Sequence, residues 1–224
     1  MKPLTEQHLA IFRRHMVEII DMHFELAGEE LGRDAPAPRL RDALLKVPRH
    51  LFVAPQLVGV AYQDTPLPIG FDKTVSQPFM SAVMIDLLEL EPGTRVLEVG
   101  TGLGYQTALL AEIGAKVFSV EIVEEFVEAA GVRLAALGYE AELKVGDGSR
   151  GWPEHAPFEA VVVSAAAAAP PPALIEQLRP GGRLVMPVGN RECQQLTLIE
   201  KKLDGGTLSR AIMPVTFTQL EISA

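Results

Sequence analysis

The run Arg95-Val96-Leu97-Glu98-Val99-Gly100-Thr101-Gly102-Leu103-Gly104-Tyr105 narrows the folds open to this chain more than any other stretch. Pro92-Gly93 reads as a turn, and Val96, Leu97 and Val99 make the short apolar run of a buried strand. Three glycines at alternate positions follow, and Tyr105 to Ala111 then reads as a helix. A strand that passes through a glycine-rich turn into a helix leaves backbone N–H groups free beside a ligand. The glycines permit positive φ and a close approach of that ligand to the backbone. An ordinary tight turn that binds nothing is the plainer alternative.

From Arg95 onward the chain alternates strands and helices. Strands are expected at Lys116–Glu121, Glu142–Val145, Ala160–Ser164 and Arg183–Val188, the last entered through Gly181-Gly182. Helices are expected at Val123–Leu137, ended by Gly138, and after Pro170-Pro171-Pro172. Gln195–Glu200 and Ala211–Leu220, flanking Asp204-Gly205-Gly206, read as a terminal hairpin. The pattern implies an α/β protein with a doubly wound, mainly parallel seven-stranded sheet, helices on both faces and an N-terminal helical extension.

Upstream, Leu9, Phe12, Met16, Ile19, Ile20 and Phe24 recur at helical spacing, which predicts one amphipathic helix over 4–31 with Gly32 as its stop. A short helix over Leu40–Leu45 follows a proline-containing linker. Pro66, Pro68 and Gly70 make the next segment extended and rigid. A helix is expected from Phe79 to about Leu90, with Ser76 a candidate N-cap and Pro78 in the first turn. Residues 1–90 are thus expected to cover the substrate and to pack on a core at 91–224 as one compact domain.

The formal charge of −9 argues against broad attraction to nucleic acid. No run approaches the ~18–20 apolar residues of a membrane span, and the N-terminus lacks the apolar centre of a signal peptide. A single cysteine, Cys193, excludes an internal disulfide framework and fits a reducing compartment. His8, His15 and His23 have no metal-ligand spacing, so no metal is expected.

Ligands of open α/β sheets sit at the carboxyl ends of strands. Three candidates fall there: the Gly100–Gly104 loop, Glu121 at the end of the second strand, and Gly146-Asp147-Gly148 after the third. Glu121 has the right chemistry to accept hydrogen bonds from ribose hydroxyls, or is simply an acid at a helix N-terminus. Asp147 suits an adenine amino group, or makes a plain Asp-Gly turn.

The spacing is G-x-G-x-G, one residue short of the dinucleotide fingerprint. Preceded by Glu98, it resembles motif I of the class I S-adenosylmethionine (SAM) methyltransferases, and Glu121 and Asp147 follow in that order and spacing. Four flanking stretches narrow the resemblance: Val47–Val53 (VPRHLFV), Ala61–Ile69 (AYQDTPLPI), Thr74–Met80 (TVSQPFM) and Gly146–Pro153 (GDGSRGWP). Over roughly residues 40–215 the chain resembles the protein-L-isoaspartate O-methyltransferases.

That resemblance implies a cytoplasmic enzyme that moves a methyl from SAM to the α-carboxyl of L-isoaspartyl residues in damaged proteins or peptides, leaving S-adenosylhomocysteine (SAH). It implies no nucleic-acid or membrane partner, and a monomer or weak homo-oligomer. Ser76 stands where the family's active-site serine stands, with Thr74 and Val75 in the same substrate segment and Asp64 as an acid of the substrate pocket. Glu98, Gly100, Thr101, Gly102, Gly104, Glu121, Asp147 and Gly148 match cofactor positions. Two departures stand out: Asp72-Lys73 replaces a common Gly-Gln, and Phe217-Thr218-Gln219-Leu220 stands where Phe-Val-Pro-Leu is frequent.

The chemistry suits these residues. An α-carboxyl with a pKa of about 3.5 is ionised at neutral pH and needs no general base. Orientation supplies the rate, and a neutral hydroxyl such as Ser76 aims the oxygen without blunting it. Two alternatives remain at this level: methylation of another peptide or small acid, and a non-catalytic module that holds SAM or SAH.

Overall fold

The computed structural model describes residues 4–223. Met1–Pro3 and Ala224, the outermost residues of the two segments expected above, lie outside the described residues.

Thr5 opens α1 (Glu6–Leu26) through a reciprocal capping box with His8. The single helix expected over 4–31 is divided: α1 ends at Leu26 with Ala27 as its C-cap, and a one-turn α2 (Gly28–Leu31) follows, closed by left-handed Gly32. The buried stripe Leu9, Met16, Val17, Ile20 and Phe24 gives α1 a single inward face. Helix α3 (Pro38–Lys46) begins two residues before Leu40 because Pro38 fits the first turn, where no N–H is needed.

The extended segment is a hairpin, β1 (Leu67–Gly70) against β2 (Lys73–Val75), joined by Phe71-Asp72. Helix α4 (Pro78–Asp86) is shorter than expected, ending four residues before Leu90. Its N-cap is Gln77 and not Ser76. The helix start is satisfied from a distance instead, since Asp64 Oδ1 accepts from Phe79 N at 2.8 Å.

The remaining elements are β3 (Arg95–Val99), α5 (Tyr105–Ile113), β4 (Lys116–Glu121), α6 (Glu124–Leu137), β5 (Glu142–Val145), β6 (Phe158–Val163), α7 (Pro172–Glu176), β7 (Leu178–Gly189), β8 (Gln194–Lys201) and β9 (Thr207–Val215). Gly181-Gly182 does not precede the fifth sheet strand but lies inside it, where the pairing with β6 is irregular. The last strand ends at Val215, earlier than Leu220, and the chain continues as a tail.

Seven strands form one sheet in the order β5-β4-β3-β6-β7-β8-β9. The pairs from β5 to β7 are parallel, and β8 and β9 are antiparallel additions. The order reverses between β3 and β6, which opens a crevice at their carboxyl ends.

Both faces of the sheet are buried. Val96, Ala160, Val162 and Val185 pack with α1, α3, α4 and α5, whereas Leu97, Val99, Phe118, Val161 and Leu184 pack with Leu174 of α7. Glu98 shares the helix-α5 side with Val96, because side chains alternate along a strand.

Candidate active site

The crevice holds a cavity of about 100 Å³. Its floor is the loop after β3, with Gly100, Thr101 and Gly102 in the lining. Gly100 and Gly102 have φ of +96° and +53°, which admits the backbone where a side chain would be strained. A Cβ at Gly102 would come within 3.3 Å of Ile69 Cδ1 on the β1–β2 hairpin, so the hairpin closes directly over the loop. Gly104 does not line the cavity. Its open side faces Ala130 and Leu134 of α6, where a Cβ would approach to 3.3 Å, so it serves the packing of the two helices.

Glu121 ends β4 and lines the cavity. Its Oε2 accepts from Gly102 N at 2.9 Å and its Oε1 from Val123 N at 3.1 Å. Each carboxylate oxygen has a second lone pair, so both retain capacity for hydroxyl donors. With Val120, Ile122 and Phe126 beside it, this corner combines an acceptor for hydroxyls with apolar walls, the surroundings a nucleoside requires.

Glu98 lies outside the lining. It is fully buried, and its Oε2 accepts from Thr107 Oγ1 at 2.5 Å and from Ser119 Oγ at 2.6 Å. Thr101 and Ser119 share a further 2.6 Å hydrogen bond. Glu98 thus braces the glycine loop against β4 and α5 through Oε2. Burial raises its pKa; hydrogen bonds from Ser119, Thr107 and Gln106 offset only part of this, leaving it at about 7.

Asp147 also lies outside the lining, although Gly148 is in it. Its Oδ1 accepts from Ser149 N at 2.9 Å and Ser149 Oγ at 2.7 Å, and its Oδ2 accepts from Ser223 N at 3.1 Å. Burial pushes this carboxyl up, but the bonds from Ser149 and Ser223 and the Arg150 charge outweigh it and hold the pKa low. Of the two expectations for Asp147, the structure shows the turn: it caps the residues that carry Gly148 into the site.

The opposite wall is the strap Lys73-Thr74-Val75-Ser76, all four residues in the lining. Asp64 stands behind it. Its carboxylate accepts from Gln77 Nε2 and Phe79 N, both at 2.8 Å, and lies 2.9 Å from His23 Nδ1. Those partners occupy it, and its side chain is only 6% exposed. Asp64 thus anchors the segment that follows Ser76 and does not face the cavity.

Several lining residues carry no clear sequence signal. Ser164 follows β6 and accepts from Gln106 Nε2 at 3.0 Å. Thr218, Gln219, Leu220 and Glu221 form a roof. The tail is held by Ala166 N donating to Thr218 O at 2.8 Å, by Leu220 N donating to Ala166 O at 2.7 Å, and by an ion pair between Glu221 and Lys73. Lys73, one of the two departures in sequence, thus joins the strap to the tail. Among the described residues no group of His, Cys, Asp and Glu is arranged to hold a metal, and no helix is long and apolar enough to cross a membrane.

The sheet order, the glycine loop at its switch point and an acid ending the neighbouring strand define a Rossmann-like SAM-dependent methyltransferase. A family model described as Protein-L-isoaspartate(D-aspartate) O-methyltransferase matches residues 31–222. The chain belongs to that family.

Its relatives agree. The chain is 50% identical over 219 residues to Protein-L-isoaspartate O-methyltransferase 1 of Polaromonas sp. strain JS666, covering 97% of this chain and 93% of the relative. It is 48% identical over 187 residues to the Aeropyrum pernix Protein-L-isoaspartate O-methyltransferase, covering 81% and 72%. Among solved structures, one of a protein-L-isoaspartate O-methyltransferase superposes with a TM-score of 0.79 at 26% identity, covering 92% of this chain and 65% of that one. A Plasmodium falciparum structure in complex with SAH shares the fold, with a TM-score of 0.71 at 24% identity, covering 83% and 91%.

Proposed function

We propose that this chain transfers a methyl group from SAM to the α-carboxyl of L-isoaspartyl residues in damaged proteins, and that Ser76 orients the carboxylate. The observation that carries the reading is that the strap Thr74-Val75-Ser76 and the corner formed by Gly100, Gly102 and Glu121 line the two sides of one cavity. When bound, SAM would supply a sulfonium-activated methyl for a carboxylate oxygen, with the methyl ester and SAH as products and no proton to be moved.

The protein's part is positioning. Glu121 would hold ribose hydroxyls while its own orientation is fixed by Gly102 N and Val123 N. Gly100, Thr101, Gly102 and Gly148 would shape the cavity around the donor. Glu98, Gly104 and Asp147 would act one layer back, on the loops that carry those residues. Thr74 and Val75 would lie along the peptide, and the Ser76 hydroxyl would donate to one carboxylate oxygen and leave the other in line with the methyl. The part of the catalytic effect that orientation contributes reaches ~7–11 kcal/mol in favourable cases. The ester would then close to a succinimide, whose hydrolysis returns part of the residue to aspartate. The partners proposed are isoaspartyl-containing proteins and peptides, and the setting proposed is the cytoplasm.

The test uses an isoaspartyl peptide and its aspartyl twin with labelled SAM. Labelling of the first alone is expected, and equal, negligible labelling of both would overturn the reading. Ser76→Ala is expected to lower kcat about 10–100-fold, the worth of a lost hydrogen bond to a charged group. Its melting temperature should stay unchanged, because the α4 start is capped by Asp64.

A further inference from the structure

Arg49, in the stretch Val47-Pro48-Arg49-His50, has no role in the site as described so far. It is the largest of the fully buried side chains, with 0% exposure. Its Nε donates to Ala61 O at 2.9 Å and its Nη2 to Ser76 O at 2.7 Å. The guanidinium lies over the Tyr105 ring, 4.7 Å from the centroid. Tyr105 and Ser76 are both cavity-lining residues, so Arg49 sits one layer behind the wall and touches both sides of it.

Two features set this arginine apart from a simple backbone bridge. Nη1 is sealed from solvent and has no hydrogen-bond partner. Among the described residues no carboxylate pairs with the guanidinium: the groups whose influence it feels are the Tyr105 hydroxyl first and then Asp64, and Asp64 already accepts from Gln77 and Phe79. A buried charge without a counter-charge is costly, and a neutral side chain with two donors would join the same carbonyls at less cost.

We propose that Arg49 is a positioning residue for methyl transfer: it fixes the Ser76 peptide from behind and gives that end of the cavity a positive potential that selects an anionic oxygen. One layer of protein between charge and substrate attracts the carboxylate without the direct ion pair that would blunt its nucleophilicity. The proposal rests on the reading of the strap as the substrate side of the site.

The test separates charge from support. Wild-type turnover of the isoaspartyl peptide tests the function itself, and the Arg49 series is scored against it. Calorimetry on SAH-loaded protein compares an isoaspartyl peptide bearing the α-carboxylate with the same peptide bearing an α-carboxamide. Wild type is expected to prefer the carboxylate by about ten-fold or more, the scale of a charge-assisted interaction. Arg49→Gln should bring that ratio to within about three-fold and lower kcat about ten-fold, with the KM for SAM within about two-fold of wild type. Arg49→Lys should keep the preference but lose kcat, because one ammonium cannot span the Ala61 and Ser76 carbonyls in the same geometry.

A wild-type ratio near one overturns the proposal, as does an unchanged ratio in folded Arg49→Gln. If Arg49→Gln does not fold, Arg49→Lys decides: preference kept with kcat lowered supports the proposal, and preference lost or kcat unchanged overturns it.

Discussion

Glu98 is buried on the α5 side of the sheet, and its carboxyl titrates at about 7 against an ordinary 4.5. As pH rises from about 4.5 to 7, the unfolded chain releases this proton before the folded chain does. The folded state then binds more protons, so this group makes stability fall with rising pH across that window and level off above it. Glu98→Gln removes the titration while keeping an acceptor for Thr107 and Ser119. Melting temperatures from pH 5 to 8 should show that the difference between the two proteins shifts in favour of the variant as pH rises; parallel curves would refute the assignment. The same residue shows where sequence reading stops. Its place before the glycines matched a cofactor position, yet strand alternation turns it under α5, and only the partners Thr107 and Ser119 reveal its bracing role. Asp64 is similar: its partner Phe79 lies fifteen residues away, too far for a local capping motif to indicate.

Among the elements, β4 and β5 run over the residues the sequence indicated: β4 is a buried apolar run between turns, and β5, at the sheet edge, alternates apolar Leu143 and Val145 with charged Glu142 and Lys144. The β1–β2 hairpin was not legible. Its strands are only four and three residues long, prolines interrupt the approach, and its two-residue turn lacks the Asn-Gly type of signal. Phe71 and Asp72 sit there at φ of +50° and +55°, which costs free energy in any residue with a side chain. Phe71 is retained at a contact with Phe126, ring centroids 5.4 Å apart, which sets the hairpin tip against the cavity wall. Asp72→Gly removes the strain at one of the two positions without touching that contact. It should stabilise the protein by about 1 kcal/mol, read as a melting temperature about 2–4 °C higher. A lower melting temperature would show that the Asp72 side chain contributes more than its backbone costs.

Across the whole molecule, the tail crosses the carboxyl ends of the strands from Gln194 of β8 to Asp147 beyond β5. It is bonded at Phe217, Thr218, Leu220, Glu221 and Ser223. Thr218-Gln219-Leu220 has no periodicity, and all of these contacts are long-range, which is why sequence gave the segment to a strand. The hairpin and the tail bound the cavity on two sides, so the contact between them stands across the way in for the donor. The Lys73–Glu221 pair bridges them with side chains 21% and 55% exposed. An ion pair so exposed is worth under ~1 kcal/mol. Glu221→Gln should therefore speed both SAM association and SAH release in stopped-flow fluorescence while changing Kd less than about five-fold. Rates indistinguishable from wild type would show that the Lys73–Glu221 pair does not limit exchange of the donor. The path of this tail also bears on synthesis. During translation the glycine loop, Glu121 and the strap all emerge before Phe217–Ser223, so a nascent chain can assemble its sheet while the donor site still lacks a ceiling, which a later segment then supplies.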